Sequence, residues 1–214
     1  MEFNYIAEGI DAVVIDNFYT EEQLKEIMLE LKWLTKHSVF KNGDKLNSAK
    51  KEDGEIATSK KGIFLEDVFI NWRHSALISH GMTQTKNKDF NNKLLEFNTL
   101  FKCITACDSR THLLSYYENA DYYEPHIDVT FFTILNYFFV EPKQFDGGEI
   151  ILYSCNSSRK STIDVKHNRT IVIASSTPHE VNALKSDLKN SLSGYGRYCN
   201  AMFLSTNMSD LKLK

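Results

Sequence analysis

Apolar residues follow two regimes along this chain, and the change falls near residue 110. Upstream, residues 11–19 (Asp-Ala-Val-Val-Ile-Asp-Asn-Phe-Tyr) read as a strand. Thr20 then caps a helix, with Glu21, Glu22 and Gln23 in its first turn, where negative charge suits the helix dipole. Leu24, Ile27, Met28, Leu31 and Leu34 recur at helical spacing, so one face packs inward until the helix ends near Trp33 to His37. Phe64 to Leu77 predicts a short strand and then a helical segment. Asp89 to Ile104 predicts a helix with Leu94, Leu95, Phe97, Leu100 and Phe101 on its apolar face. Downstream, the pattern predicts strands over 111–118, 122–128, 131–140, 148–154, 162–165, 169–174, 179–183 and 197–205. Turn signals separate several of them, among them Asp146-Gly147-Gly148, His167-Asn168 and Ser193-Gly194-Tyr195-Gly196. Short strands at this density after helices predict an α+β, mainly β fold: a β-sandwich or jelly roll with the N-terminal helices packed on one sheet.

The pattern lapses over residues 41–61. Six lysines (Lys41, Lys45, Lys50, Lys51, Lys60 and Lys61) mix there with Asp44, Glu52, Asp53 and Glu55, and large apolar residues are nearly absent. Such a stretch is a long polar loop, either a solvated excursion or a mobile lid over an active site.

The length of 214 residues suits one domain over 1–214, and 42% hydrophobic content is enough for a core. A net charge of −3 gives no basic field to attract nucleic acid. The polar N-terminus carries no signal-peptide pattern. The apolar stretch Phe131 to Val140 is broken by Thr133 and Asn136 and is too short for a bilayer, so no membrane partner is expected. The four cysteines form no Cys-x-x-Cys pair. Cys103 and Cys107 could share a helix face, but a zinc site would need two more ligands and only His112 is near. Reduced, mostly buried thiols in a cytoplasmic protein are the expectation.

The chemistry concentrates in His126, Asp128 and His179, followed by Arg197. Two histidines and a carboxylate are the ligands of a facial-triad non-haem Fe(II) site, which leaves three coordination positions open. Residues two apart on a strand point to one face, so His126 and Asp128 can reach one metal, with Ile127 and Val129 on the opposite, packed face. The third ligand comes from another strand. His179 follows the buried run Ile171-Val172-Ile173-Ala174 and a polar turn. His167, in an exposed turn, and His112, a candidate core histidine, are its rivals. Arg197 opens an apolar strand, where a charge is costly unless paired, and its planar fork suits the remote carboxylate of 2-oxoglutarate. Arg169 and Arg159, in or beside polar turns, are the alternatives.

These residues resemble those of the Fe(II)/2-oxoglutarate-dependent dioxygenase superfamily, and within it the prolyl 4-hydroxylase-like group. The strongest part runs from Tyr117 to Asp128, ending in Tyr123-Glu124-Pro125-His126-Ile127-Asp128. Phe145-Asp146-Gly147-Gly148-Glu149-Ile150, His179-Glu180-Val181, Gly196-Arg197-Tyr198 and the opening Val14 to Glu22 add to it. The resemblance implies a double-stranded β-helix (jelly-roll) core. It implies His126, Asp128 and His179 as iron ligands and Arg197 as partner of the 2-oxoglutarate C5 carboxylate. Tyr117 would lie by the cosubstrate. Tyr137 would either take another pocket position or simply pack in the core. Fe(II), 2-oxoglutarate and O2 are the implied cofactors, with ascorbate a further candidate. The implied activity is hydroxylation of an unactivated carbon with release of succinate and CO2. Its first substrate class is a prolyl residue in a peptide or protein; its second is a free amino acid or other small molecule. A non-catalytic binding module on the same fold is the reading from another class. Three departures stand out: a loop extension over 184–193 lengthens the interval from His179 to Arg197, Ala120 and Asp121 replace common glycines, and Cys199 stands where Ser is frequent.

Overall fold

The computed structural model describes residues 1–206 except Glu8, Asn47 and Glu52. Among them, the larger antiparallel sheet runs β1 (Glu2–Ile6), β2 (Ala12–Asp16), β12 (Arg169–Ala174), β8 (Phe132–Phe138), β15 (Arg197–Ser205), β6 (Ser109–Tyr117), β5 (Lys61–Phe64) and β3 (Lys41–Asn42). The smaller runs β11 (Lys160–Ile163), β10 (Ile150–Tyr153), β13 (His179–Val181), β7 (Tyr122–His126) and β4 (Thr58–Ser59). A two-residue pair joins β14 (Leu184–Lys185) to β9 (Asp146–Gly147). This is the expected mainly β architecture with a jelly-roll core.

Strand alternation builds two cores, one on each face of the large sheet. Tyr198, Met202 and Leu204 of β15 point to one face, with Ile134 and Phe138 of β8 and Val13 and Ile15 of β2. The helices α1 (Glu21–Lys36), α2 (Ala76–Thr85) and α3 (Lys88–Phe97) cover this face through Ile27, Leu31, Leu34, Leu77, Phe90 and Leu94. Burial of each such side chain contributes about 1.5–3 kcal/mol. Cys199 and Ala201, with Leu135, Tyr137, Ile171 and Ile173, point the other way, toward the smaller sheet and its Ile150 and Leu152. The cavity opens on that second side.

α1 begins as predicted. Thr20 accepts from the Gln23 amide, and the Gln23 side chain reciprocates at the Thr20 amide, a full capping box. Elsewhere the elements differ from expectation. The stretch 89–104 is not one helix: α3 stops at Phe97, and Asn98 caps a separate 3-10 turn by accepting from the Leu100 amide at 2.9 Å. α2 extends the helical segment predicted to end at Leu77. The polar N-terminus forms β1, which pairs in full with β2.

Residues 41–61 are not a structureless loop. Lys41 and Asn42 pair with β5, Lys50 bridges Ile56 in a short hairpin, and Thr58 and Ser59 pair with β7. Leu46 and Ala57 are buried, and the Ala49 amide donates to the Tyr123 hydroxyl at 3.0 Å. No helix among the described residues is long and apolar enough to cross a membrane.

Asp16 ties the end of β2 to β12. It accepts from Arg169 Nε at 2.6 Å and Nη2 at 3.0 Å, and from Lys166 Nζ at 2.7 Å. The hydrogen bonds from Arg169 and then Lys166 hold its carboxyl at about 2, against an ordinary 3.8. A depressed carboxyl stabilises the fold above its unfolded pKa, and that contribution fades as pH falls through the folded value. Asp16→Asn should therefore cost about 1–2 kcal/mol in urea denaturation at neutral pH. The difference from the parent should shrink as the pH is taken from about 4 towards 2; a cost that does not change with pH would refute the assignment.

Candidate metal and cosubstrate centre

His126 ends β7, His179 begins β13, and the two stand opposite each other in the antiparallel pair. Their ring centroids are 4.3 Å apart. Asp128 lies just beyond the strand, where its amide donates to the Ser175 carbonyl at 2.9 Å. Its carboxylate accepts from Thr133 Oγ1 at 2.6 Å, and Thr133 is itself 2.9 Å from Ser175 Oγ. Asp128 is 4.0 Å from His126 Nε2 and 3.8 Å from His179 Nε2. One ligand atom from each of the three lies within 4.8 Å of the others. Among the described residues, no other group of His, Cys, Asp and Glu is so arranged.

The histidines are oriented for this role by their own backbone. His126 Nδ1 is 2.8 Å from the Glu124 carbonyl, and His179 Nδ1 is 2.9 Å from that of Thr177. A carbonyl only accepts, so each Nδ1 carries a hydrogen, and Nε2 is the ring atom left facing Asp128. Tyr123 stacks on the His126 ring at 3.6 Å. Burial, then neighbouring His179, holds His126 down at about 3, so its ring is neutral at physiological pH. Neutral imidazole is the metal-binding form.

One detail of the strand reading is corrected. Ile127 and Val129 do not pack into a core: Ile127 is 56% and Val129 100% exposed, and both border the cavity. The cause is that β7 ends at His126, leaving no neighbouring strand to cover the residues beyond it.

The rival residues are engaged elsewhere. His112 is buried, with Nδ1 2.8 Å from Glu66. His167 is half-buried rather than exposed, and accepts the Phe139 amide at 3.1 Å. Arg169 is held by Asp16, and Arg159 sits in the exposed turn between β10 and β11. Cys107 and Cys199 are buried, but Cys103 and Cys155 are exposed, against the expectation of mostly buried thiols.

Arg197 is 1% exposed. Its guanidinium lies 4.7 Å from the Tyr117 ring centroid and 4.4 Å from that of Tyr137. Nε and Nη1 are buried with no hydrogen-bond partner. The Tyr137 hydroxyl is likewise unpartnered, and burial raises both tyrosines above their ordinary range.

The backbone makes room for this arginine. A Cβ on Gly148, which has φ +73°, would stand 3.2 Å from Arg197 Cδ, and one on Gly196 would stand 2.3 Å from the Tyr117 carbonyl. The extension after His179 preserves the register. Leu184 and Lys185 pair with β9, the Leu192 amide donates to Glu118, and the Gly194 and Gly196 amides donate to the Tyr116 hydroxyl at 2.9 Å. Arg197 then falls opposite Tyr117.

These groups share one cavity of about 410 Å³, bordered by His126, Asp128, His179, Arg197, Tyr117 and Tyr137. It also holds a residue that sequence reasoning missed. Lys60 is 8% exposed, with Nζ 4.3 Å from the Tyr123 ring centroid and 5.8 Å from that of Tyr117. Burial brings its ammonium down to about 8.

A chain that holds two imidazoles and a carboxylate at one point and an unpaired guanidinium in the same cavity fits a divalent metal with a carboxylate cosubstrate. The comparison with known families agrees. Residues 111–197 match the model of the 2OG-Fe(II) oxygenase superfamily. That superfamily implies Fe(II), 2-oxoglutarate and O2. No protein of curated function matches the sequence.

Among solved structures, the fold is similar to a Pseudomonas putida prolyl-4-hydroxylase, with a TM-score of 0.62, 10% identity and 92% of each chain covered. It is similar to a Trichoplax adhaerens prolyl hydroxylase in complex with a hypoxia inducible factor oxygen degradation domain peptide fragment. There the TM-score is 0.62 at 18% identity, over 91% of this chain and 83% of that one. It is also similar to a non-haem alpha-ketoglutarate-dependent epimerase from nogalamycin biosynthesis, with a TM-score of 0.55 at 10% identity, over 92% of this chain and 77% of that one.

Two expectations follow. His126→Ala, Asp128→Ala and His179→Ala should each lose stoichiometric Fe(II) in anaerobic equilibrium dialysis, while His167→Ala keeps it; retention by Asp128→Ala would refute the site. Arg197→Ala should weaken 2-oxoglutarate binding by roughly 2–4 kcal/mol with little change in metal affinity, as when one partner of a buried charge pair is lost. An unchanged Kd in calorimetry would assign the cosubstrate to another cation.

Proposed function

We propose that this protein is a 2-oxoglutarate-dependent dioxygenase that hydroxylates an unactivated carbon, with a prolyl residue in a peptide or protein as its substrate. The carrying observation is Arg197. A buried guanidinium with two unpartnered nitrogens is costly, and the cost is offset when a carboxylate enters the cavity. Its place in the same cavity as His126, Asp128 and His179 sets the two ends between which 2-oxoglutarate would lie.

Fe(II), when bound, supplies the O2 chemistry that couples decarboxylation of 2-oxoglutarate to succinate and CO2 with oxidation of a substrate carbon. The chain supplies the rest. The Nδ1 hydrogen bonds to Glu124 and Thr177 fix both imidazoles, and Thr133 fixes the Asp128 carboxylate. Arg197 orients the far carboxylate, and Tyr117 and Tyr137 close the inner wall against water.

The prolyl reading draws support from the exposed apolar pair Ile127 and Val129, which flank Asp128 and suit a compact saturated ring. It draws further support from the shared fold with prolyl hydroxylases, one of them bound to a peptide. The likeness to an epimerase keeps a small-molecule substrate as the second reading, because one fold hosts several chemistries. The hairpin around Lys50 and Ile56 serves as the lid over a peptide, its Lys51 paired with Glu124 at 2.8 Å beside His126.

With Fe(II) and 2-oxoglutarate, succinate release should rise when a prolyl peptide is added, and the peptide should gain one oxygen. Shortening the hairpin should lower peptide hydroxylation while leaving 2-oxoglutarate binding intact. Succinate release stimulated by free amino acids and by no peptide would replace the prolyl reading with the small-molecule one. An unaffected shortened variant would make the hairpin a surface feature.

A further inference from the structure

Lys60 occupies the crossover between the two sheets. Ser59 before it pairs with Tyr122 of β7, and Lys61 after it pairs with Tyr116 of β6. Regular backbone on both sides fixes the residue, and its side chain lies in the cavity against Tyr123 and Tyr117. Three neighbouring lysines have carboxylates: Lys61 pairs with Glu118, Lys51 with Glu124 and Lys41 with Asp67. Lys60, the most buried of them, has no ion pair or hydrogen bond from its ammonium among the described residues, only the two ring faces. A buried ammonium in this state is a functional candidate, since an anion entering the cavity would offset the cost of its burial.

The charge balance says which anion. The charged side chains bordering the cavity are Asp128, Arg197 and Lys60. One carboxylate against two cations leaves a single net positive charge. Fe(II) adds two, and the two carboxylates of 2-oxoglutarate remove two. With metal and cosubstrate in place, one positive charge is still uncompensated, and such a site favours a singly anionic occupant.

We infer that Lys60 is a substrate-specificity residue that binds a carboxylate carried by the molecule being hydroxylated. This rests on the dioxygenase reading and narrows it. The substrate presents a free carboxylate within reach of the oxidised carbon, as an N-acylated amino acid, a C-terminal residue or an acidic side chain next to the target does.

The test uses anaerobic calorimetry on the full chain loaded with Fe(II) and saturated with 2-oxoglutarate. The probes are matched acids and amides: acetylproline with acetylprolinamide, acetylleucine with acetylleucinamide, and pentanoate with pentanamide. In at least one pair the parent protein should bind the acid about tenfold more tightly than the amide. Lys60→Met should abolish that preference, Lys60→Arg should restore part of it, and the 2-oxoglutarate Kd of Lys60→Met should stay within about twofold of the parent. The metal-free Lys60→Met protein should also melt no lower than the parent, because the substitution removes an unpaired buried charge.

Absence of acid preference in every pair overturns the inference, as does a preference that survives Lys60→Met. A loss of 2-oxoglutarate affinity in Lys60→Met overturns it by making Lys60 a cosubstrate ligand. A lowered melting temperature overturns it by making the lysine a structural strut between the two tyrosines. Acid preference confined to the ringless pairs would uphold Lys60 and defeat the prolyl reading. Hydroxylation of prolyl peptides with no acid preference would do the reverse.

Discussion

The register of β15 is the constraint on which the rest of the molecule depends. Its residues alternate between two cores, with Tyr198, Met202 and Leu204 against the helices and Cys199 and Ala201 toward the cavity. It pairs with β6 on one side and β8 on the other along nearly its whole length. A slip of one residue would drive Arg197 into the helix-covered core and Tyr198 into the cavity. The slip is opposed by many apolar contacts on one face and by the Thr35 hydroxyl, 2.6 Å from that of Tyr198. The same ladder therefore secures fold and chemistry together, since the position that starts β15 is the one that carries the buried cation.

The second organising feature is the meeting of strand ends. His126 finishes β7 where His179 starts β13, and Asp128 is brought back to them by the Ser175 backbone and the Thr133 hydroxyl. A site assembled at strand termini has rigid backbone beneath it and open space above it. This suits a centre that must hold a metal firmly and still admit a cosubstrate, O2 and substrate. The cavity is correspondingly asymmetric. Its inner part has aromatic walls and two cations without carboxylate partners, and its outer edge has the exposed Ile127 and Val129. On the proposed reading, bound ligands would supply the balancing charge.

Much of this was legible in the sequence, for identifiable reasons. The Thr20 cap and the helical spacing from Leu24 to Leu34 are local signals, and α1 follows them closely. The strands over 169–174 and 197–205 coincide with largely apolar stretches. His126, Asp128, His179 and Arg197 could be nominated because their residue types are costly or unusual in such strands, and the fold brings all four to one cavity. Other features depend on contacts distant in sequence. β1 alternates Phe3 and Tyr5 with Glu2 and Asn4 over only five residues, too short a signal to stand out, and is secured as a strand by pairing with β2. The exposure of Ile127 and Val129 follows from where β7 stops, which a spacing argument does not contain. Lys60 was one of six lysines in a polar stretch. What sets it apart is that the chain passes from one sheet to the other at that residue, a fact written in the partners of Ser59 and Lys61 rather than in composition.

The proposed centre is one arrangement: a metal held by three side chains, with a carboxylate cosubstrate gripped by an otherwise unpaired arginine. Anomalous X-ray diffraction at the iron edge, from crystals grown without O2 in Fe(II) and 2-oxoglutarate, reads that arrangement directly. The expected result is a single iron peak bounded by His126 Nε2, His179 Nε2 and the Asp128 carboxylate, and the far carboxylate of 2-oxoglutarate on Arg197. Iron bound elsewhere, or a cosubstrate that leaves Arg197 bare, would contradict it.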